Sequence, residues 1–117
     1  MGAKTFEELR AWQYAAELSD RVVAICETPA LQHDLTFRNQ LRDAVQAAPR
    51  LIAEGFGRWG HREFAHYLRM ARSEIFEARN DLLALQRRGT LPPEVIGDLL
   101  ELSERTARTI SRLRSSL

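Results

Sequence analysis

The stretch Leu51–Phe64, LIAEGFGRWGHREF, decides how the chain is organised. A long segment with helical apolar spacing precedes it and another follows. Three glycines, Gly55, Gly57 and Gly60, fall within six positions. Glycine adopts left-handed backbone angles without a Cβ penalty, so a helix is expected to end here and the chain to reverse. Arg58, His61 and Arg62 sit in this turn with Phe56 and Trp59.

Working outward, the segment before the turn reads as a helix from Asp34 or Thr36, its candidate caps, to about Phe56. Its apolar stripe is Phe37, Leu41, Ala44, Val45, Ala48, Ile52 and Phe56. Pro49 lies inside it; either the helix bends near Val45–Pro49 or it restarts at Pro49. Ala44, Ala47 and Ala48 leave a slim surface that another helix can approach closely. The segment after the turn, from about Gly60 to Arg88, is the most regular. Phe64, Leu68, Ala71, Ile75, Ala78, Leu82 and Leu85 alternate steps of four and three, a sustained heptad seam. Arg87, Arg88 and Gly89 close it, cations at the negative helix end and glycine just beyond.

Further out, Thr5 to Glu27 predicts a first helix, with Thr5 and Glu8 as a capping pair and Phe6, Leu9, Trp12, Ala16, Val22, Val23 and Cys26 as its stripe. Thr28-Pro29 ends it. Thr90 to Glu94 opens a fourth helix with the stripe Val95, Leu99, Leu102, Thr106, Ile110 and Leu113; Gly97 is its weak spot, and Arg112 to Leu117 are expected to fray. Four amphipathic helices with short connections make one all-α domain over residues 1–117, an up-down-up-down antiparallel four-helix bundle.

Composition narrows the function. Cys26 is the single cysteine, which excludes an internal disulfide framework, and its apolar neighbours mark it as a buried hydrophobe. No apolar run is long enough to cross a membrane. The opening MGAKTFEELRAW carries acids where a secretory leader needs an apolar run, so a cytoplasmic location is expected. The net charge of +1 is unevenly spread: residues 38–88 hold ten arginines against six acids, residues 1–37 three cations against six acids, and residues 89–117 four of each. Arginine binds phosphate bidentately and stacks on bases.

Catalytic patterns do not emerge. A di-iron bundle needs inward Glu-x-x-His motifs, which are missing, and His61 and His66 are five apart, on different helix faces. No phosphate-loop lysine accompanies the glycines, and no nucleophile motif surrounds Cys26 or the serines. No metal or cofactor is expected, nor enzymatic activity. Arg58, Arg62, Arg69 and Arg72, with Trp59 as a stacking aromatic, are the candidate nucleic-acid-binding residues. Glu63, Glu74, Glu77 and Asp81 are interspersed among these arginines, as on a solvated mixed-charge face. The competing reading is a self-associating interaction module without a nucleic-acid role. Phe76 and Leu83, seven apart and off the seam of the third helix, would join Phe56 at subunit contacts.

The chain also resembles the four-helix-bundle proteins encoded within intervening sequences of 23S ribosomal RNA genes, a group similar to the accessory variability proteins of diversity-generating retroelements. The matching residues are Phe6, Leu9 and Trp12; Gln40-Leu41-Arg42; Ile52-Ala53-Glu54-Gly55 with Gly57 and Arg58; Glu63-Phe64, Leu68, Ala71-Arg72 and Glu77; then Gly89 and Leu91. The resemblance covers essentially the whole chain. It departs where Leu51 stands in place of a usual Asn, Ala47 in place of Ser, and Ser73-Glu74 in place of Gly-Ser, and Pro49 is an addition. These changes remove small polar groups where the second and third helices meet. The resemblance implies a ring-like homo-oligomer, a pentamer, and a link to RNA or to a nucleic-acid-handling protein.

Overall fold

The computed structural model describes residues 2–117. After a 3-10 turn at Phe6–Glu8, the chain forms α1 (Arg10–Cys26), a second 3-10 turn at Pro29–Leu31, α2 (Leu35–Phe56), α3 (His61–Arg88) and α4 (Pro93–Ser115). The described residues contain no strand. Each helix packs on its neighbours in sequence, and α4 closes back onto α1. The molecule measures 45 × 23 × 19 Å. At about 1.5 Å rise per residue, the 28 residues of α3 run nearly its whole length. Every position of the α3 seam, from Phe64 to Leu85, is buried, and it meets Leu41, Val45 and Ile52 of α2, Leu18 and Val22 of α1, and Leu99 and Ile110 of α4 in one core.

The helix ends follow local chemistry. Asp34, not Thr36, caps α2: its Oδ1 accepts from the Phe37 amide at 3.1 Å. α2 is continuous through Pro49, so the helix does not restart there. Gly89 ends α3 in the left-handed conformation, φ 68°. Arg88 does more than face the helix dipole. Its guanidinium lies 4.2 Å from the Phe37 ring centroid and 3.9 Å from the Asp34 carboxylate, tying the end of α3 to the start of α2.

Two stripes differ from those read in the sequence. Leu9 is extended, ψ 126°, so α1 begins at Arg10 and Phe6 and Leu9 belong to no common helix with it. Its buried line is Ala11, Ala15, Leu18, Val22 and Cys26, one position off the line that runs through Trp12 and Ala16. Trp12 is half-buried and meets Phe6 edge-on, with 5.3 Å between ring centroids. The capping pair forms only in part. Glu8 accepts from the Lys4 amide at 3.2 Å and from the Thr5 hydroxyl at 3.4 Å, but that hydroxyl caps no amide. In α4 the inward residue is Ile96, not Val95: both lie within one turn of Leu99, but Ile96 is buried in the core and Val95 is exposed. The helix persists to Ser115, with Arg112 and Arg114 in its last turn.

The glycines of the corner have three separate roles. Only Gly60 has a positive φ, 88°, and it precedes the first residue of α3. Gly57 ends α2 with ordinary helical angles. Gly55 lies inside α2 and is buried; a Cβ there would stand 2.5 Å from the Cβ of Tyr67. The expectation that all three serve the reversal is therefore corrected. Gly55 is small because α3 comes close to it.

Candidate nucleic-acid interface

A helix advances about 100° per residue, so side chains of one sign can be mixed along the chain and separated around the axis. On α3 that separation is nearly complete. Arg62, Arg69, Arg72 and Arg79 share the flank beside α4, with Ala65 and Phe76. Tyr67, Glu74, Glu77 and Asp81 turn to the opposite flank, beside α2. Beyond the first turn, where Glu63 borders the arginines, the charges are sorted rather than interspersed.

α4 adds two cations to the arginine flank. Arg114 joins Arg62, His66 and Arg69 around one shallow groove, and Arg108 joins Arg72, Phe76 and Arg79 around a second. The two grooves together hold six arginines against Glu63 and Glu104. Glu104 is shared between Arg79 at 3.6 Å and Arg108 at 3.5 Å. Among the described residues, Arg62, Arg69, Arg72 and Arg114 have no carboxylate within 4.0 Å. Arg72 lies over the Phe76 ring instead, 4.7 Å from its centroid. Arg108 and Arg114 escaped the sequence reading because their segment has no net charge. The signal was available in the i, i+4 spacing: Glu101 and Glu104 have partners in Arg105 and Arg108, which leaves Arg112 and Arg114 over.

Of the other nominated residues, Trp59 stands at the corner with 96% of its surface exposed, close in sequence to Arg62. Arg58 is separate. Its guanidinium donates to Glu54 Oε2 at 3.0 Å and to the Tyr67 hydroxyl at 2.8 Å, and that hydroxyl donates to the same Glu54 oxygen at 3.1 Å. The hydrogen bond from Arg58, then that from Tyr67, holds the Glu54 carboxyl below its ordinary range. This closed cluster spans the α2–α3 corner directly over Gly55. Phe56 meets Phe64 edge-on at 5.9 Å, so part of its surface is used within the subunit. Phe76 is 42% exposed, and Leu83 is half-buried.

The α2-facing flank is chemically different. Gln40 Nε2 donates to both oxygens of buried Asp81 at 3.1 Å, yet burial still pushes that carboxyl above its ordinary value. Burial, followed by the neighbouring Glu77, raises Glu74 as well. Ala44 and Ala47 floor the open groove there, with Asp43, Glu74, Glu77 and Arg50 on its rim. Burial raises the Cys26 thiol too, which leaves it a poor nucleophile. Among the described residues no three histidine, cysteine, aspartate or glutamate side chains gather as a metal site would need, and no helix is long and apolar enough to cross a membrane.

These features define a small all-α antiparallel bundle whose distinguishing chemistry is spread over helix flanks rather than enclosed in a cavity. Residues 7–112 match the 23S rRNA-intervening sequence protein family, and the chain belongs to that family. Comparison with curated proteins finds no match.

Proposed function

We propose that this protein is a non-enzymatic, homo-oligomeric accessory protein, acting in the cytoplasm, that associates with RNA through the arginine flank of α3 and α4. The family's description is compatible with an RNA-associated role. The observation that carries the reading is the set of arginines on one flank, four of them without a carboxylate partner among the described residues. An arginine already paired gains little from a phosphate; an unpaired one exchanges only water and counterions for it. Arg62, Arg69 and Arg114 lie at the corner end of this flank, and exposed Trp59 supplies a face on which an unpaired base can stack. Arg72 extends the cationic surface toward the middle of the bundle. Arg58, held by Glu54 and Tyr67, positions the corner that carries Trp59. A nucleic-acid-handling protein as a further partner and a pentameric ring as the assembly complete this proposal, as the resemblance stated for the sequence would imply. Several copies of one modest cationic surplus would then sum into a larger field.

Filter binding with structured RNA at two salt concentrations tests the reading. Retention is expected to fall steeply as salt rises. Arg62→Glu with Arg69→Glu should weaken binding at least tenfold and lower the salt slope by roughly one per lost phosphate contact. No retention at low salt by an intact assembly would overturn RNA association. It would leave the second reading, a self-associating module, which the 42% exposure of Phe76 favours.

A further inference from the structure

We infer that copies of this chain associate through unlike faces, the Arg72–Phe76 side of α3 on one copy seating in the α2–α3 groove of the next. The inference rests on the self-association in the reading above and not on RNA binding. Three features of the surface point to it.

The first is shape. Phe76 projects from α3 with 42% of its surface exposed, beside half-buried Leu83. The groove on the other flank has a floor of small side chains, Ala44 and Ala47. An aromatic knob and an alanine-floored furrow are complementary in form, whereas two knobs facing each other are not.

Charge points the same way. The knob is flanked by Arg72, Arg79 and Arg108, with Glu104 its only acid. The furrow is rimmed by Asp43, Glu74 and Glu77, with Arg50 its only cation. Glu74 ranks among the least comfortable carboxylates of the molecule, its ionised form disfavoured by burial and by Glu77. A guanidinium arriving from a neighbour would relieve that repulsion. Two arginine flanks brought together would instead oppose each other.

Height along the bundle is the third feature. Arg72 and Phe76 stand on α3 within about 8 Å, measured along its axis, of Glu74 and Glu77. Rotation about an axis parallel to the bundle preserves height, so the two faces meet directly in a closed ring without any sliding. The corner arginines Arg62, Arg69 and Arg114 lie toward the end of the bundle, outside this contact, and stay free for phosphate, whereas Arg72, part of the cationic surface of a lone subunit, is taken into the contact.

Charge reversal tests the contact, read by light scattering on the full chain without RNA, with folding confirmed by thermal melts. Wild type is expected to run as an assembly. Glu74→Arg/Glu77→Arg and Arg72→Glu/Arg108→Glu should each shift dissociation at least tenfold toward subunits. A single chain carrying both reversals should recover assembly mass, because every contact around the ring is then complementary again. Phe76→Ala should weaken assembly with no change of charge. A wild type that stays monomeric at every concentration overturns the inference. So does a chain with both reversals that fails to reassemble, or assembly that survives either reversal alone. RNA retention by Arg62→Glu/Arg69→Glu is scored separately, so loss of the RNA reading and loss of this contact give different results.

Discussion

The α2-facing and α4-facing flanks of α3 belong to one helix, yet they are built on opposite principles. Toward α2, the backbones come so close at Gly55 that no side chain fits between them, and the polar groups at either end are internally matched, Gln40 with Asp81 and Arg58 with Tyr67 and Glu54, while Glu74 and Glu77 between them face the open groove. Toward α4, two shallow grooves run along the surface, and most of their arginines have no acidic partner among the described residues. Matched polar groups hold a subunit together; unmatched cations of one sign add nothing to its stability and are available to an outside ligand. The position of a charge around the helix axis, more than its number, separates a structural role from a binding one.

Gly55→Ala should break the close side of this contrast with the largest effect on stability. The new methyl would collide with the Cβ of Tyr67, which moves only if α3 moves. A loss of about 1–3 kcal/mol is expected in urea unfolding, as for other overpacked cores. Wild-type stability would mean that the helices are further apart there than the structure places them. Trp59→Ala acts on the open side alone. Stability should stay within about 0.5 kcal/mol, as for a surface change, while RNA affinity drops by about 1–3 kcal/mol as one stacked base is lost. Equal affinity of the two proteins would remove Trp59 from the interface.

Gly97→Ala is the same substitution as at Gly55 with the sign reversed. Gly97 lies inside α4 without a positive φ, and a Cβ placed there would meet nothing within 4 Å, so alanine should raise stability by about 0.5–1 kcal/mol. A destabilised variant would reveal a neighbour on that face. The smallest effect concerns Asp81. Its carboxyl is raised in the folded state, so the folded protein holds a proton that the unfolded chain releases between the ordinary aspartate range and the raised value. Stability from this group falls as pH rises through that window and grows as pH is lowered through it. Asp81→Asn keeps an oxygen to accept from Gln40 and cannot ionise. Its advantage over wild type at neutral pH should therefore shrink on acidification, followed by melts at several pH values. A constant difference would show that Asp81 titrates as it does in the unfolded chain.

Particular residues show how far the sequence can be read. The α3 seam is legible from Phe64 to Leu85 because a heptad repeat needs no knowledge of its neighbours. The α1 stripe is read correctly at Val22 and Cys26 but is one position off at Trp12 and Ala16, where the line carries on from Phe6 and Leu9; Leu9 is extended and takes both out of the helix, and nothing local in the residues announces that break. Val95 takes the place of Ile96 for a similar reason: both suit an apolar stripe, and only the packing partner selects between them. At the candidate site, Arg62, Arg69 and Arg72 can be placed together by spacing within one helix, whereas Arg108 and Arg114 come from another, and Arg58 is withdrawn by partners four and nine residues away.

The sequence alone therefore determined the number of helices, their order, the α3 seam and the stops at Thr28-Pro29 and Gly89, since those follow from periodicity and from the backbone chemistry of single residues. Tertiary structure alone decided what Gly55 is for, which arginines remain unpaired, and which neighbouring helix each charged flank of α3 faces. Those properties depend on distances between helices, and a linear pattern contains no such distances.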